Sequence, residues 1–188
     1  MKAPKFMLAV LLSSAGLTAY ADTFKIDPVH SSIGFSVKHL GVSEFYGRFN
    51  DVSGQVVFDK ADPSKSSVEV TIPVESIDTH NEKRDQHLKS PDFFNAKQFP
   101  TIVFKSKSVE GSGDTYKATG DLTLHGVTKP LTLEIKRGPE GPGMGEGEIR
   151  GGGTTHFTVK RSDFGMDFMQ GPLGDEVTVF LSLEGVKQ

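Results

Sequence analysis

The sequence predicts an all-β protein: an antiparallel eight-stranded lipocalin-like barrel, with a short helical insert at about residues 80–96. Apolar and polar residues alternate with a period of two along most of the chain, which is typical of strands with one buried face. The 21 glycines and 10 prolines, with 24% charged residues, disfavour a helical bundle. About eight such strands must close or stack to remove their edges, so a β-sandwich is the alternative architecture.

The first 21 residues are typical of an export signal. Lys2 and Lys5 precede an apolar run over residues 6–12, and residues 19–21 read Ala-Tyr-Ala. The run is too short to cross a bilayer as a helix, and a buried N-terminal helix is the alternative. We therefore expect cleavage after Ala21, a periplasmic location, no membrane span, and one domain over residues 22–188.

Strands are predicted where the alternation is regular. Leu122 and Leu124 precede the connection at residues 126–129, which predicts a hairpin. The inward positions of the predicted strands are Ile33, Phe35, Val37, Val68, Val70, Ile72, Val74, Ile102, Phe104, Leu122, Leu124, Leu131, Leu133, Ile135, Thr155, Phe157, Val159, Val177, Val179, Leu181 and Leu183.

One segment departs from this alternation. Thr79 and Glu82 have the spacing of a capping box, which predicts a helix from His80 to Lys89. Pro91 would end this helix and open a second short one through residues 93–94. The predicted role of the insert is a lid or plug at one end of the barrel.

Residues 138–153 are rich in glycine and contain two prolines. The strand, helix and lysine–serine pattern of a phosphate-binding loop is missing around them, so nucleotide binding is not favoured. The segment is predicted to be a flexible connection between strands.

Composition and motifs also exclude several kinds of chemistry. The chain contains no cysteine, which excludes disulfides and thiolate sites. A formal net charge of −3 argues against nucleic acid as a partner. The six histidines are scattered and the Gly-x-Ser-x-Gly motif is missing, so we expect no metal site, no catalytic residues and no catalytic cofactor.

The segment around Arg84 could serve a polar ligand group. On a helix, Arg84 and Leu88 share one face with His87 close by, so this face could offer a cation and an imidazole at the barrel mouth. The alternative is a solvated helix in which Asp85 pairs with Lys89.

Several motifs, in order along the chain, resemble the YceI-like family. They are Phe24-Lys25-Ile26-Asp27-Pro28-Val29-His30-Ser31-Ser32-Ile33-Gly34-Phe35, Ser76-Ile77-Asp78-Thr79, Arg84-Asp85, His87-Leu88, Asp92-Phe93-Phe94, Phe99-Pro100-Thr101, the segment at residues 120–130 and Arg161-Ser162-Asp163-Phe164-Gly165-Met166. The likeness covers essentially all of residues 22–188. Phe24 stands where the family usually has another aromatic residue.

The resemblance implies an extended lipocalin-like barrel that holds a long isoprenoid lipid, such as an isoprenoid quinone or a polyprenyl derivative. It also implies no enzymatic activity. By position in the matched motif, the lipid head group would lie near Arg84, Asp85 and His87, with His30 a further candidate. An enzyme acting on such a head group and a stress-induced protein with a filled barrel are the alternatives. Transient contact with a membrane surface and a homodimer are compatible with this interpretation.

Residues 22–188 contain 13 phenylalanines and no tryptophan, which suggests an interior with room for an apolar chain. Ordinary core packing would give the same alternation. The candidate lining residues are Phe35, Val37, Phe49, Val70, Ile72, Phe94, Ile102, Phe104, Leu122, Leu133, Phe157 and Val179.

Overall fold

The computed structural model describes residues 21–188. The predicted signal segment, residues 1–21, therefore lies outside the described residues apart from Ala21. The strands are β1 (Asp22–Ile26), β2 (Ser32–His39), β3 (Ser43–Phe49), β4 (Ser53–Phe58), β5 (Ser67–Pro73), β6 (Ile77–Asp78), β7 (Thr101–Ser112), β8 (Thr115–Leu124), β9 (Val127–Arg137), β10 (Gly141–Pro142), β11 (Ile149–Lys160) and β12 (Leu173–Lys187). One α-helix, α1 (Glu82–Leu88), and three single 3₁₀ turns at Pro63–Lys65, Val74–Ser76 and Arg161–Phe164 complete the described part.

Eight of the strands close an antiparallel barrel, as predicted. Neighbours follow the order β1, β4, β5, β7, β8, β9, β11 and β12, and β12 pairs back with β1. Inward residues of these strands form one continuous buried apolar cluster. Because the side chains alternate across each strand, this cluster occupies the interior of the barrel.

Strand β12 joins the barrel to three further strands. Residues 185–187 pair with β1, whereas residues 173–182 pair with β2. Strands β3 and β6 continue outward from β2. The interior is therefore bounded by β1 near one end and by β2 and its neighbours near the other.

The hairpin between β8 and β9 is shorter than predicted. Leu124 pairs directly with Val127, so the turn is His125-Gly126 rather than residues 126–129. Both turn residues have positive φ, 51° and 74°, as a two-residue hairpin turn with the twist of the strands requires.

The helical insert differs from its prediction in two respects. Helix α1 starts at Glu82, and its cap is Asn81, whose side chain accepts a hydrogen bond from the Arg84 amide. The predicted cap, Thr79, instead donates its hydroxyl to Asp85. Residues 90–99 form turns and not a second helix, because Asn95 and Ala96 bond back to residues 90 and 89.

The glycine-rich segment was also predicted wrongly as a loop throughout. Gly151, Gly152 and Gly153 lie within β11 and pair with β12, and residues 141–142 form β10. These glycines suit a strand here because neighbouring groups approach closely. A Cβ on Gly151 would lie 2.9 Å from the Phe24 ring, and one on Gly152 would lie 2.6 Å from the Leu183 carbonyl oxygen.

Candidate functional site

The barrel interior contains a cavity lined almost entirely by apolar side chains. The cavity has a volume of about 240 Å³. Its lining runs from Gly151 near the start of β11 to Val159 near its end, so it follows most of that strand. The side chains of the barrel therefore leave a hollow interior that can accommodate an apolar guest.

All twelve predicted lining residues border this cavity. They come from strands on all sides of the barrel and from the segment after α1, and they are Phe35, Val37, Phe49, Val70, Ile72, Phe94, Ile102, Phe104, Leu122, Leu133, Phe157 and Val179. The structure thus brings the whole set together. Their contact with a ligand stays a prediction.

Glycines supply part of the wall. Gly34, Gly151, Gly153 and Gly185 border the cavity, and Gly151 is paired directly with Gly185. Side chains at Gly151, Gly153 and Gly185 would place a Cβ 2.9–3.1 Å from an atom of another strand. Their omission brings the backbone itself to the surface of the cavity on this side.

Near α1 the cavity ends against an aromatic cluster formed by His87, Phe93 and Phe168. The centroids of the three rings lie 5.1–5.5 Å apart, each pair being edge to face. Phe93 is buried and borders the cavity, whereas Phe168 is exposed. His87 also bonds Asp92 through Nε2 at 2.9 Å. The cluster therefore connects the cavity lining to the outer surface.

At the opposite end the cavity is bordered by Arg137. Its guanidinium lies 3.9 Å from the centroid of the Phe58 ring and 6.0 Å from that of Phe24. Nη2 donates to the Glu140 carboxylate at 2.5 Å. A cation stacked on a ring beside an apolar cavity is suited to an anionic group or a hydrogen-bond acceptor.

A second arginine, Arg161, borders the cavity near α1 and is buried. Nε donates to the carbonyl of Gly174, and Nη1 donates to those of Met166 and Phe168. Nη2 donates more weakly to that of Leu173, at 3.3 Å. These bonds fasten the connection between β11 and β12, so Arg161 positions this end of the cavity.

The sequence reasoning missed Arg137 and Arg161, although the signal was present. Leu131, Leu133, Ile135 and Arg137 occupy successive inward positions of β9. Arg161 likewise continues the inward series of Phe157 and Val159. Extending the period of two by one step would have placed both arginines at the ends of the cavity.

The predicted head-group residues Arg84 and Asp85 bind Thr79 instead of bordering the cavity. Arg84 donates from Nε to the Thr79 hydroxyl at 2.8 Å and from Nη2 to its carbonyl. Asp85 accepts from the Thr79 amide at 2.9 Å and from its hydroxyl. The Arg84 guanidinium also covers the Phe45 ring at 4.4 Å. Both side chains thus fasten α1 to the segment after β6, and Arg84 also contacts β3.

The other two predicted head-group residues lie at opposite ends of the barrel. His87 is in the last turn of α1 and belongs to the aromatic cluster, whereas His30 is in the turn between β1 and β2. Neither borders the cavity. The structure therefore does not bring the four together, and their contact with a head group stays a prediction.

His30 belongs to a charged cluster with Asp27, Arg150 and Glu184. Nη1 of Arg150 lies 2.8 Å from the Asp27 carboxylate, 2.6 Å from that of Glu184 and 3.3 Å from Nδ1 of His30. The three partners are close enough together to hold a metal ion. Nη1 of Arg150 lies within hydrogen-bonding distance of all three, so the cluster is a network centred on the Arg150 guanidinium.

This network shifts the acidity of its members. Hydrogen bonds from His30, and then from Arg150, hold the pKa of the Asp27 carboxyl well below its usual range. The bonds to Asp27, Glu184 and Glu148 raise the pKa of the Arg150 guanidinium above its usual value. The network ties the turn after β1 to β11 and β12.

Within residues 21–188, helices of the length and apolar character needed to cross a membrane do not occur.

Known proteins resemble this chain over nearly its whole length. The family model described as a YceI-like domain matches residues 24–185. A relative from Pseudomonas aeruginosa, described as a UPF0312 protein, is 43% identical over 189 residues, which is 98% of each chain. Protein YceI of Salmonella arizonae is 42% identical and covers 97% of this chain and 96% of its own length.

Solved structures share the fold. The YceI protein of Campylobacter jejuni superposes with a TM-score of 0.71 at 33% identity, over 80% of this chain and 90% of its own. A polyisoprenoid-binding domain from Saccharophagus degradans, implicated in plant cell wall breakdown, has a TM-score of 0.64 at 15% identity. It covers 87% of this chain and 97% of its own, and at that identity it shows the common fold alone.

Proposed function

The chain belongs to the YceI-like family, and from its apolar cavity we propose that it binds a long-chain isoprenoid lipid inside the barrel. The single observation that carries the proposal is the hollow apolar interior. A structural protein with a filled barrel would have its own side chains in that space. The fold is also that of a polyisoprenoid-binding domain, which supports the same class of ligand.

The energetics favour a long apolar chain. Each buried methylene contributes roughly 0.8 kcal/mol, so several isoprene units can be held without a polar anchor. Ordering a flexible chain offsets part of this gain. The lipid would be an isoprenoid quinone, a polyprenyl derivative or a similar amphiphile, held as cargo and not turned over.

We place this activity in the periplasm because the predicted export signal precedes the barrel in the sequence. The protein would sequester or carry the lipid there, since a long isoprenoid is poorly soluble in water. Fractionation of cells that express the full chain tests the location, and recovery of the protein from the cytoplasm alone would contradict it.

The first test is the composition of the purified protein. Protein purified without detergent and extracted with organic solvent should release a long-chain isoprenoid detectable by mass spectrometry. A filling substitution sharpens the test. Val179→Trp places a large ring in the middle of the cavity, where Val179 lies between Phe35 and Phe157 on neighbouring strands.

The matched control is Ser182→Trp, which introduces the same ring at an exposed position on the outer face of the same strand. We expect Val179→Trp to lose most of the extracted lipid and Ser182→Trp to retain it. Circular dichroism checks that both variants keep their strands. Equal lipid content in the two variants, or repeated extracts without lipid from the native chain, would refute the proposal.

A further inference from the structure

We propose that the end of the barrel beside α1 docks onto the surface of a phospholipid bilayer through an apolar rim formed by Leu40, Val42, Phe168 and Met169. This inference rests on the proposed lipid-binding function and names the partner from which the lipid would be exchanged. The tip of the β2–β3 hairpin supplies two of these side chains, and the connection between β11 and β12 supplies the other two.

The rim exposes more apolar surface than folding requires. The exposed fractions are 59% for Leu40, 84% for Val42, 41% for Phe168 and 42% for Met169. Single exposed apolar residues are common on protein surfaces, but a contiguous group of them marks an interaction site.

The two segments that form the rim are joined to each other. The Leu40 amide donates to the Pro172 carbonyl at 2.6 Å, and His39 pairs with Leu173. Leu173 itself borders the cavity. The rim is therefore one surface and lies at the end of the cavity.

Backbone geometry gives an independent indication. Leu40 and Met169 have φ of 54° and 58°. This left-handed region is rarely adopted by residues other than glycine, asparagine and aspartate. Such conformations cluster at functional sites. Both residues combine this unfavourable backbone with an apolar side chain that stays 59% exposed at Leu40 and 42% exposed at Met169.

An apolar path connects the rim to the cavity. The Phe168 ring lies 5.3 Å from the ring of Phe93, and Phe93 borders the cavity. A prenyl chain that passes this aromatic cluster would remain in contact with apolar groups. The cluster is the part of the site that would separate for entry.

The low charge around the rim indicates that apolar insertion, and not electrostatic attraction to lipid head groups, would bind the protein to a bilayer. Residues 39–43 and 166–172 carry a single formal charge, on Asp167, and the full chain has a net charge of −3. Anionic lipids would therefore not attract the protein strongly. We expect binding to a zwitterionic bilayer that persists at high ionic strength, because the apolar contribution is not screened by salt.

The experiment uses the predicted mature protein, residues 22–188, and phosphatidylcholine vesicles. Flotation with the vesicles measures partitioning for the native chain and for the double variant L40D/V42D. Aspartate tolerates the left-handed conformation at position 40, so the variant should fold. The matched control is Val29→Asp, which changes an 81% exposed valine in the turn between β1 and β2.

We expect partitioning of L40D/V42D into the vesicles to be weaker by a factor of about ten or more, since two apolar side chains are lost from the contact. Val29→Asp should partition as the native chain does. The assay is run at about 50 and about 500 mM NaCl, and the higher concentration should not release the native chain from the vesicles. Equal partitioning of native chain and rim variant would overturn the proposal, as would release by salt. A native dimer that becomes a monomer in the rim variant, with vesicle binding unchanged, would assign the rim to a second copy.

The lipid extracts separate this inference from the proposed function. The rim variant should carry as much lipid from the cell as Val29→Asp but exchange it with vesicles more slowly. If the protein binds vesicles but its extracts contain no lipid, the proposed lipid-binding function is refuted, whereas the role of the rim in membrane docking still stands.

Discussion

Asp27 connects three strands through its backbone amide and its carboxylate. It follows β1, its amide donates to the Glu184 carbonyl of β12 at 2.9 Å, and its side chain bonds Arg150 of β11. His30 donates from Nδ1 to the same carboxylate at 2.7 Å. The residue therefore fixes the turn where the chain leaves the barrel wall and continues into β2.

Substitution of Asp27 by Asn should lower the urea concentration at the midpoint of unfolding at pH 7. It should also make that midpoint depend less on pH. Because the folded-state pKa of Asp27 lies below its unfolded value, its stabilising contribution is present above the unfolded pKa, near 3.9, and is lost as the pH falls through and below that value. Urea titrations between pH 7 and pH 2 measure this contribution.

Asp51→Asn, at an exposed position, is the control for the general effect of removing a carboxylate. The native chain and Asp51→Asn should lose stability together on acidification, and Asp27→Asn should lose less. A parallel decline in all three proteins would remove Asp27 as the source.

Single residues on the strands could be placed from the sequence, whereas those in the insert could not. Phe157 and Val179 follow a period of two, which fixes their face whatever the neighbouring strand is. The orientation of Arg84 depends instead on which group lies beside α1. That group is Thr79, whose pattern predicted a helix cap, and no local spacing distinguishes the two roles.

Among the elements, β11 shows how packing overrides composition. A run rich in glycine predicts a loop, because glycine costs backbone entropy in a strand. Here Gly152 lies opposite Glu184 in the long ladder with β12, and the backbone of β12 approaches closely. The long-range pairing determines this strand, and the sequence window around it does not contain that information.

Gly152→Ala should therefore loosen the pairing of β11 with β12. The new methyl group would lie 2.6 Å from the Leu183 carbonyl oxygen, a backbone atom that cannot rotate away. Overpacking of this kind costs about 1–3 kcal/mol in the free energy of unfolding, measured by urea denaturation. Thr154→Ala, two residues further along the same outer face, should change it by less than about 1 kcal/mol. Equal stability of the glycine variant and the native chain would show that the strands can separate there at no cost.

For the whole molecule, closure of the barrel was predictable and the cavity was not. Eight amphipathic antiparallel strands must remove their edges, and closure does so with the fewest exposed backbone groups. Whether the inward side chains meet in the middle depends on strand tilt and stagger, which alternation does not report. The glycines at 151, 153 and 185, placed opposite large rings such as Phe24, are part of the reason that space remains.

A hollow barrel should be more stable when it is occupied. At a lipid concentration about 100 times its Kd, occupancy adds about 2.7 kcal/mol, which for this chain length raises the melting temperature by roughly 5–10 °C. Calorimetry of native and solvent-stripped protein, with lipid then restored, measures the shift. Val179→Trp should melt at the same temperature with and without lipid. A native chain indifferent to its lipid would indicate that the guest binds outside the barrel.

The pairing of β12 also sets a condition on biosynthesis. This strand bonds β11 along one edge and both β1 and β2 along the other, and it follows every one of them in the sequence. Until residues 173–187 are available, the edges of β11, β1 and β2 that β12 covers have no partner. Any helper that shields such edges from aggregation would be needed until the last strand emerges and not afterwards.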